Sequence, residues 1–162
     1  MRINKLLAQD IADKIMQEIP YNVNIMNEKG VIIGSGQKER IGALHNGAAR
    51  AIEDGNMVTV YQERAEEKPG VNIPITFQNE IIGVVGISGD PNIVTSLAAI
   101  VKVTVELLIE QDKLNKEQRV KEKVERDFLF QWTTRTTPYG PDFISQGRAV
   151  GQAGKNSTGA VI

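Results

Sequence analysis

Apolar residues recur every fourth position near the start of the chain. Leu7, Ile11, Ile15 and Ile19 fall on one face of a glycine-free segment, which predicts an amphipathic helix over residues 4–19, stopped by Pro20. Residues 22–28 and 31–35 are two apolar runs about Glu28-Lys29-Gly30 and read as a hairpin. Asn22 and Asn24 share one face of its first strand and read as a polar outer face, with ligand contact as the alternative. From Ala43 to Asp54 the four-residue spacing returns with Leu44, Ala48 and Ile52, predicting a second helix that ends at Gly55. Residues 57–61 read as a third strand, and the charged stretch from Gln62 to Lys68 as a solvated loop. A second hairpin follows, residues 71–77 and 81–88 about Asn79-Glu80, which brings the sheet to about five strands. Pro74 has no N–H for a ladder, so its strand is expected at an edge or bulged.

Asp90-Pro91 opens the last helix with an acidic cap and a proline in the first turn. Val94, Ala98, Val101, Val105, Leu108 and Ile109 form its stripe, and no breaker appears before Pro138. Past Ile109 the stripe thins to Leu114, Val120, Val124 and Phe128 among alternating lysines and glutamates, the composition of an exposed connector able to pair with a copy of itself. One small sheet cannot easily cover both helical stripes, so a homodimer joined through the first and last helices is expected. The element order favours an α+β sheet, antiparallel, with helices on one side. Residues 1–135 then form one domain. Residues 136–162 read as a linker and the truncated start of a following domain, with a short helix over 142–151 and a strand beginning at Ala160-Val161-Ile162.

Composition narrows the function. The 162 residues carry a formal charge of −1, which offers no global attraction to DNA or an anionic membrane. The absence of cysteine excludes disulfides, thiolate metal sites and a cysteine nucleophile. Met1-Arg2-Ile3-Asn4-Lys5 lacks a signal-peptide core, and no apolar run is read as reaching the ~18 residues needed to cross a bilayer, so a cytoplasmic location is expected.

Chemistry concentrates between Gly34 and Ala48. Glycines 34, 36, 42 and 47 leave little side chain in the way, and Arg40 and the only histidine, His45, lie where a strand gives way to a helix. The first-turn N–H groups of a helix lack internal partners and favour an anion. A guanidinium adds a bidentate match to a carboxylate. The stretch therefore reads as a carboxylate-binding corner, with His45 about one turn into the helix. Asn72, Gly83, Gly86 and Ser88 could open a cavity over the sheet, or the glycines could serve tight packing. Gly34-Ser35-Gly36 meets neither phosphate-loop fingerprint. No catalytic pair accompanies His45, one histidine without cysteine is a poor metal site, and no cofactor is implied. The alternative to a small-acid sensor is a ligand-free dimerisation module in which Arg40 and His45 serve structure alone.

Gly34-Ser35-Gly36, Arg40-Ile41-Gly42, His45-Asn46-Gly47-Ala48, Gly70-Val71-Asn72-Ile73-Pro74-Ile75 and Gly83-Val84-Val85-Gly86-Ile87-Ser88-Gly89 occur in that order. Together they resemble the sugar-diacid recognition domain of bacterial carbohydrate diacid regulators, over residues 1 to about 135. The resemblance implies a PAS- or Cache-like sensor fold and a cytoplasmic transcription regulator responsive to glucarate, galactarate or glycerate. Ligand contacts are expected at Ser35, Gly36, Arg40, Ile41, Gly42, His45, Asn72 and Gly86, and no membrane partner is expected. The regulators' C-terminal helix-turn-helix has no counterpart in this sequence, so DNA contact would come only from such a segment.

Overall fold

The computed structural model describes residues 1–65 and 67–136, with side chains through Trp132; the helix expected over 142–151 and the strand start at 160–162 lie outside the described residues. Helix α1 (Lys5–Met16) starts where the Asn4 side chain accepts the Leu7 N–H at 2.8 Å. It stops short of Ile19, because the chain tightens into turn bonds, Glu18 and Ile19 both donating to the Ile15 carbonyl, ahead of a proline that disfavours helix before it. Strands β1 (Val23–Asn27) and β2 (Ile32–Ser35) form the first hairpin. A 3-10 turn (Lys38–Arg40) leads to α2 (Asn46–Asp54), and β3 (Val58–Val60), β4 (Gly70–Phe77), β5 (Glu80–Ser88) and α3 (Pro91–Thr136) complete the order.

The five strands are all antiparallel, in the order β2-β1-β5-β4-β3, an α+β architecture with a long C-terminal helix. Strand alternation sends Val23, Ile25, Val71, Ile75, Val85 and Ile87 to one face, against Ile11 and Ile15 of α1 and Val94, Val101, Val105 and Ile109 of α3. One sheet face thus covers both helical stripes, contrary to the expectation that one of them would be left over. Helix α1 approaches so closely that a Cβ on Gly34 would lie 2.7 Å from the backbone carbonyl of Ala8. The helices do not share one side. Met26, Ile32 and Val84 point to the opposite face, where Ala48 and Ala51 of α2 bury them in a second, smaller core.

Strand β3 pairs only with Gly70, Val71 and Asn72, so the rest of β4 is an edge. Pro74 sits on that edge, next to a register shift between Ile75 and Thr76. The Glu106 carboxylate of α3 takes both the Thr76 N–H, at 2.7 Å, and the Thr76 hydroxyl, at 2.9 Å, and pairs with Lys102 at 3.0 Å. Burial works against ionisation of Glu106, but the Thr76 N–H, Lys102 and the Thr76 hydroxyl outweigh it and hold the carboxyl below its ordinary range.

Met1–Lys113 form one compact unit, and a second begins at Leu114. Among the described residues the second unit is the remainder of α3, where Leu114, Val120, Val124, Phe128 and Trp132 are exposed. Helix α3 also corrects the reading of apolar runs: it contains an 18-residue window long and apolar enough to cross a membrane by length and composition. In the first unit one side of that helix is core, formed by Val94, Ala98, Val101, Val105 and Ile109.

Candidate functional site

The α2 side of the sheet carries a row of mutually paired positions: Ser35 opposite Asn24, Asn24 opposite Gly86, Gly86 opposite Asn72, and Asn72 opposite Val58. The next row towards α2 is apolar, with Ile32, Met26, Val84 and Pro74. Asn24, Ser35, His45 and Asn72 are the buried polar side chains among the described residues, and all four lie on this face or at the α2 end above it. Buried polar groups normally find hydrogen-bond partners, so each invites an accounting.

Ser35 is satisfied: its hydroxyl donates to Asn24 Oδ1 at 2.6 Å and accepts the Gln37 N–H at 2.9 Å. Asn24 Oδ1 also receives Asn22 Nδ2 at 2.9 Å, and Asn22 Oδ1 accepts the Gly36 N–H at 3.0 Å. This network shapes the turn that delivers Arg40. Asn72 differs. It is 4% exposed, and its amide makes no hydrogen bond among the described residues. Leaving such a group unmet costs about 1–3 kcal/mol. Space for it comes from two glycines, since a Cβ on Gly86 would lie 2.7 Å from Asn72 Oδ1 and one on Gly47 2.5 Å from Asn72 Nδ2.

His45 lies beside the same glycine, its Cε1 3.2 Å from the position a Gly47 Cβ would take. It is the N-cap of α2, with Nδ1 accepting the Ala48 N–H at 3.2 Å, and not a residue one turn inside. The helix starts later than the Leu44 spacing suggested because the Ile32 N–H donates to the Ala43 carbonyl, the Gly42 N–H donates to the Ile32 carbonyl, and Val31 bridges Leu44, holding this stretch extended. Leu44 is consequently exposed. The cap leaves Nε2–H as the imidazole's free donor, and the Asn46 and Gly47 amides likewise meet no acceptor among the described residues.

Burial, with the Arg40 charge behind it, pushes the His45 imidazole below its ordinary value of 6.5; Glu67 opposes this weakly. The ring is therefore neutral at neutral pH. Because its pKa is lowered by folding, the stability contributed by the neutral cap is complete above the unfolded value and is lost as pH falls through the window below it. A protonated imidazole that strengthens anion binding near pH 7 does not fit this burial beside the Arg40 charge.

Arg40 ends the 3-10 turn, half-buried, with Nη1 3.4 Å from Gln37 Oε1. Its charge reaches His45. Ile41 packs on the smaller core. Gly42 has φ +95° with open space about it, a turn-forming glycine on the exposed side. Gly83 parts company with Gly86: a Cβ there would strike the Met26 carbonyl and crowd Ile3, so Gly83 serves packing. Asn24, read as solvent-facing, is 1% exposed. The signal that could have placed it was Met26 two residues on, an apolar neighbour on the same face. Also missed was Arg50, which forks onto Glu67 at 3.0 and 3.5 Å beside a pocket of about 330 Å³ lined by Thr59, Tyr61 and Arg64.

Fold and site together define an α+β domain whose buried polar side chains gather on one face of an antiparallel sheet. The chain belongs to the sugar diacid recognition family, whose model matches residues 3–132. It is 38% identical over 112 residues to the carbohydrate diacid regulator of Escherichia coli (strain K12), an alignment covering 67% of this chain and 29% of that protein. It is 37% identical over 136 residues to an uncharacterised protein of Haemophilus influenzae, covering 81% of this chain and 37% of that one. The chain thus spans well under half the length of these relatives. Among solved structures, the sensor domain of E. coli DcuS aligns with a TM-score of 0.43 at 21% identity, covering 54% of this chain and 69% of that one.

Proposed function

We propose that this domain is the ligand sensor of a cytoplasmic transcription regulator, taking a small hydroxylated carboxylate of the glucarate, galactarate or glycerate class. The observation that carries the reading is the gathering of the buried polar side chains Asn24, Ser35, His45 and Asn72 on one side of the sheet, at the N-terminus of α2 and near Arg40. Arg40 and the open α2 amides supply positive potential for a carboxylate, and His45 Nε2–H a neutral donor. The family match and the regulator among its relatives support the same class of ligand. A thermal-shift panel of organic acids tests it: a true ligand raises stability by ~2.7 kcal/mol at a hundredfold excess over its dissociation constant. The response should be flat from pH 7 to 8, because His45 stays neutral there. A panel in which hydroxylated mono- and dicarboxylates shift nothing refutes the sensor.

The proposal includes a homodimer, with its seam moved from the stripes first read. The exposed side of α3 in the first unit carries Ile93, Ile100 and Leu107 at seven-residue spacing, with Val103 between them, and no charge falls among them on that side. A two-fold pairing there brings apolar residues onto apolar residues without like-charge repulsion. Ile100→Glu should convert a dimer seen by light scattering at micromolar concentration into a monomer; a wild type that is already monomeric removes the seam.

A further inference from the structure

We propose that Asn72 is the specificity residue of the site, reading a hydroxyl on the ligand's carbon chain; this rests on the proposed sensing of a small acid and adds which group discriminates. The side chain sits in a regular part of β4, paired with Val58 on one side and Gly86 on the other. Nothing in the sheet requires an amide there. Its neighbours in the adjacent row are Val84 and Pro74, and an aliphatic residue would satisfy the same packing. Instead the chain keeps an amide that is 4% exposed and meets no protein partner among the described residues, and it keeps glycine at both 47 and 86 to make room for it.

An amide presents a donor and an acceptor side by side. A carboxylate only accepts, so it would face Oδ1 with oxygen against oxygen, whereas a hydroxyl both donates and accepts and answers both atoms. The helix end and Arg40 are suited to the carboxylate. Asn72, beside Gly47 in the first turn of that helix, is placed for a hydroxyl close to it on the chain.

The test compares galactarate with adipate, which has the same carbon chain without hydroxyls, by titration calorimetry, together with melting of the ligand-free protein. Wild type should prefer galactarate by ~100-fold or more, as sites built to bond a hydroxyl reject analogues lacking it. Asn72→Ala should bring the two acids to within a few fold of each other, by loss of galactarate affinity alone, while the ligand-free melting temperature stays level or rises. Gly86→Ala, which crowds the Asn72 oxygen while leaving the amide in place, should lose the same discrimination. If Asn72→Ala lowers the melting temperature and keeps the preference, Asn72 is a structural residue and the assignment falls. Equal binding of both acids by wild type overturns the hydroxyl reading but leaves the acid sensor standing, whereas binding of neither overturns both.

Discussion

Arg40→Ala is expected to weaken binding of the cognate acid by at least a hundredfold while leaving the domain folded. The guanidinium is half-buried at the end of a short turn, with Nη1 3.4 Å from Gln37 Oε1. Loss of a charge-assisted pair to a carboxylate in a partly desolvated site costs about 2–5 kcal/mol. Lysine should rescue only in part, because an ammonium cannot copy the two-pronged geometry. Calorimetric titration of wild type, Arg40→Ala and Arg40→Lys with one acid decides it: an alanine variant that binds as wild type does removes the carboxylate corner. The neighbouring Arg50, already forked onto Glu67, serves as the control cation whose replacement should matter less.

The largest expected loss of stability comes from Gly34→Val. The atoms a new side chain would meet are the backbone carbonyl carbon and oxygen of Ala8, each 2.7 Å from the Cβ position, and a helix backbone cannot swing aside as a flexible side chain can. Helix α1 would have to lift off the sheet, opening the layer that holds Ile11 and Ile15. Overpacking of this kind costs about 3 kcal/mol. That corresponds to roughly 10 °C in melting temperature for a domain of this size. A variant melting within about 2 °C of wild type would show that the helix has slack at this point. The same glycine, read from the sequence as part of a ligand corner, is here a packing residue.

Much of the fold was legible because the repeating patterns were long. The stripe of α1, both hairpins and the start of α3 at Asp90-Pro91 follow from periodicity and capping, and Pro74 announced the edge it occupies. What periodicity could not reveal was which face each element served. Helix α2 looked continuous from Ala43, but the backbone bonds from Ile32 to the Ala43 carbonyl and from Gly42 to the Ile32 carbonyl hold the entry extended, and the capping role of His45 follows from that tertiary contact alone. Of the site residues named from sequence, Ser35, His45, Asn72 and Gly86 come together around the sheet row and the α2 end, with Gly36 and Arg40 on the turn beside them. Gly42 and Ile41 shape and anchor that turn. Asn24 was read chiefly as a solvent-facing position because an asparagine alternating with apolar residues looks the same whether water or a helix lies over it.

The open half of β4 has a bearing on how such a protein survives at high concentration. An unpaired strand is a template on which another chain can add by strand pairing, the first step towards fibrillar aggregation. Here Pro74 offers no N–H, the register shift bends the strand after Ile75, and the Thr76 N–H is already taken by Glu106. The edge is closed chemically although no strand among the described residues covers it. Loss of the Glu106 carboxylate would therefore show itself first as colloidal instability, in turbidity on prolonged storage, before it showed as unfolding.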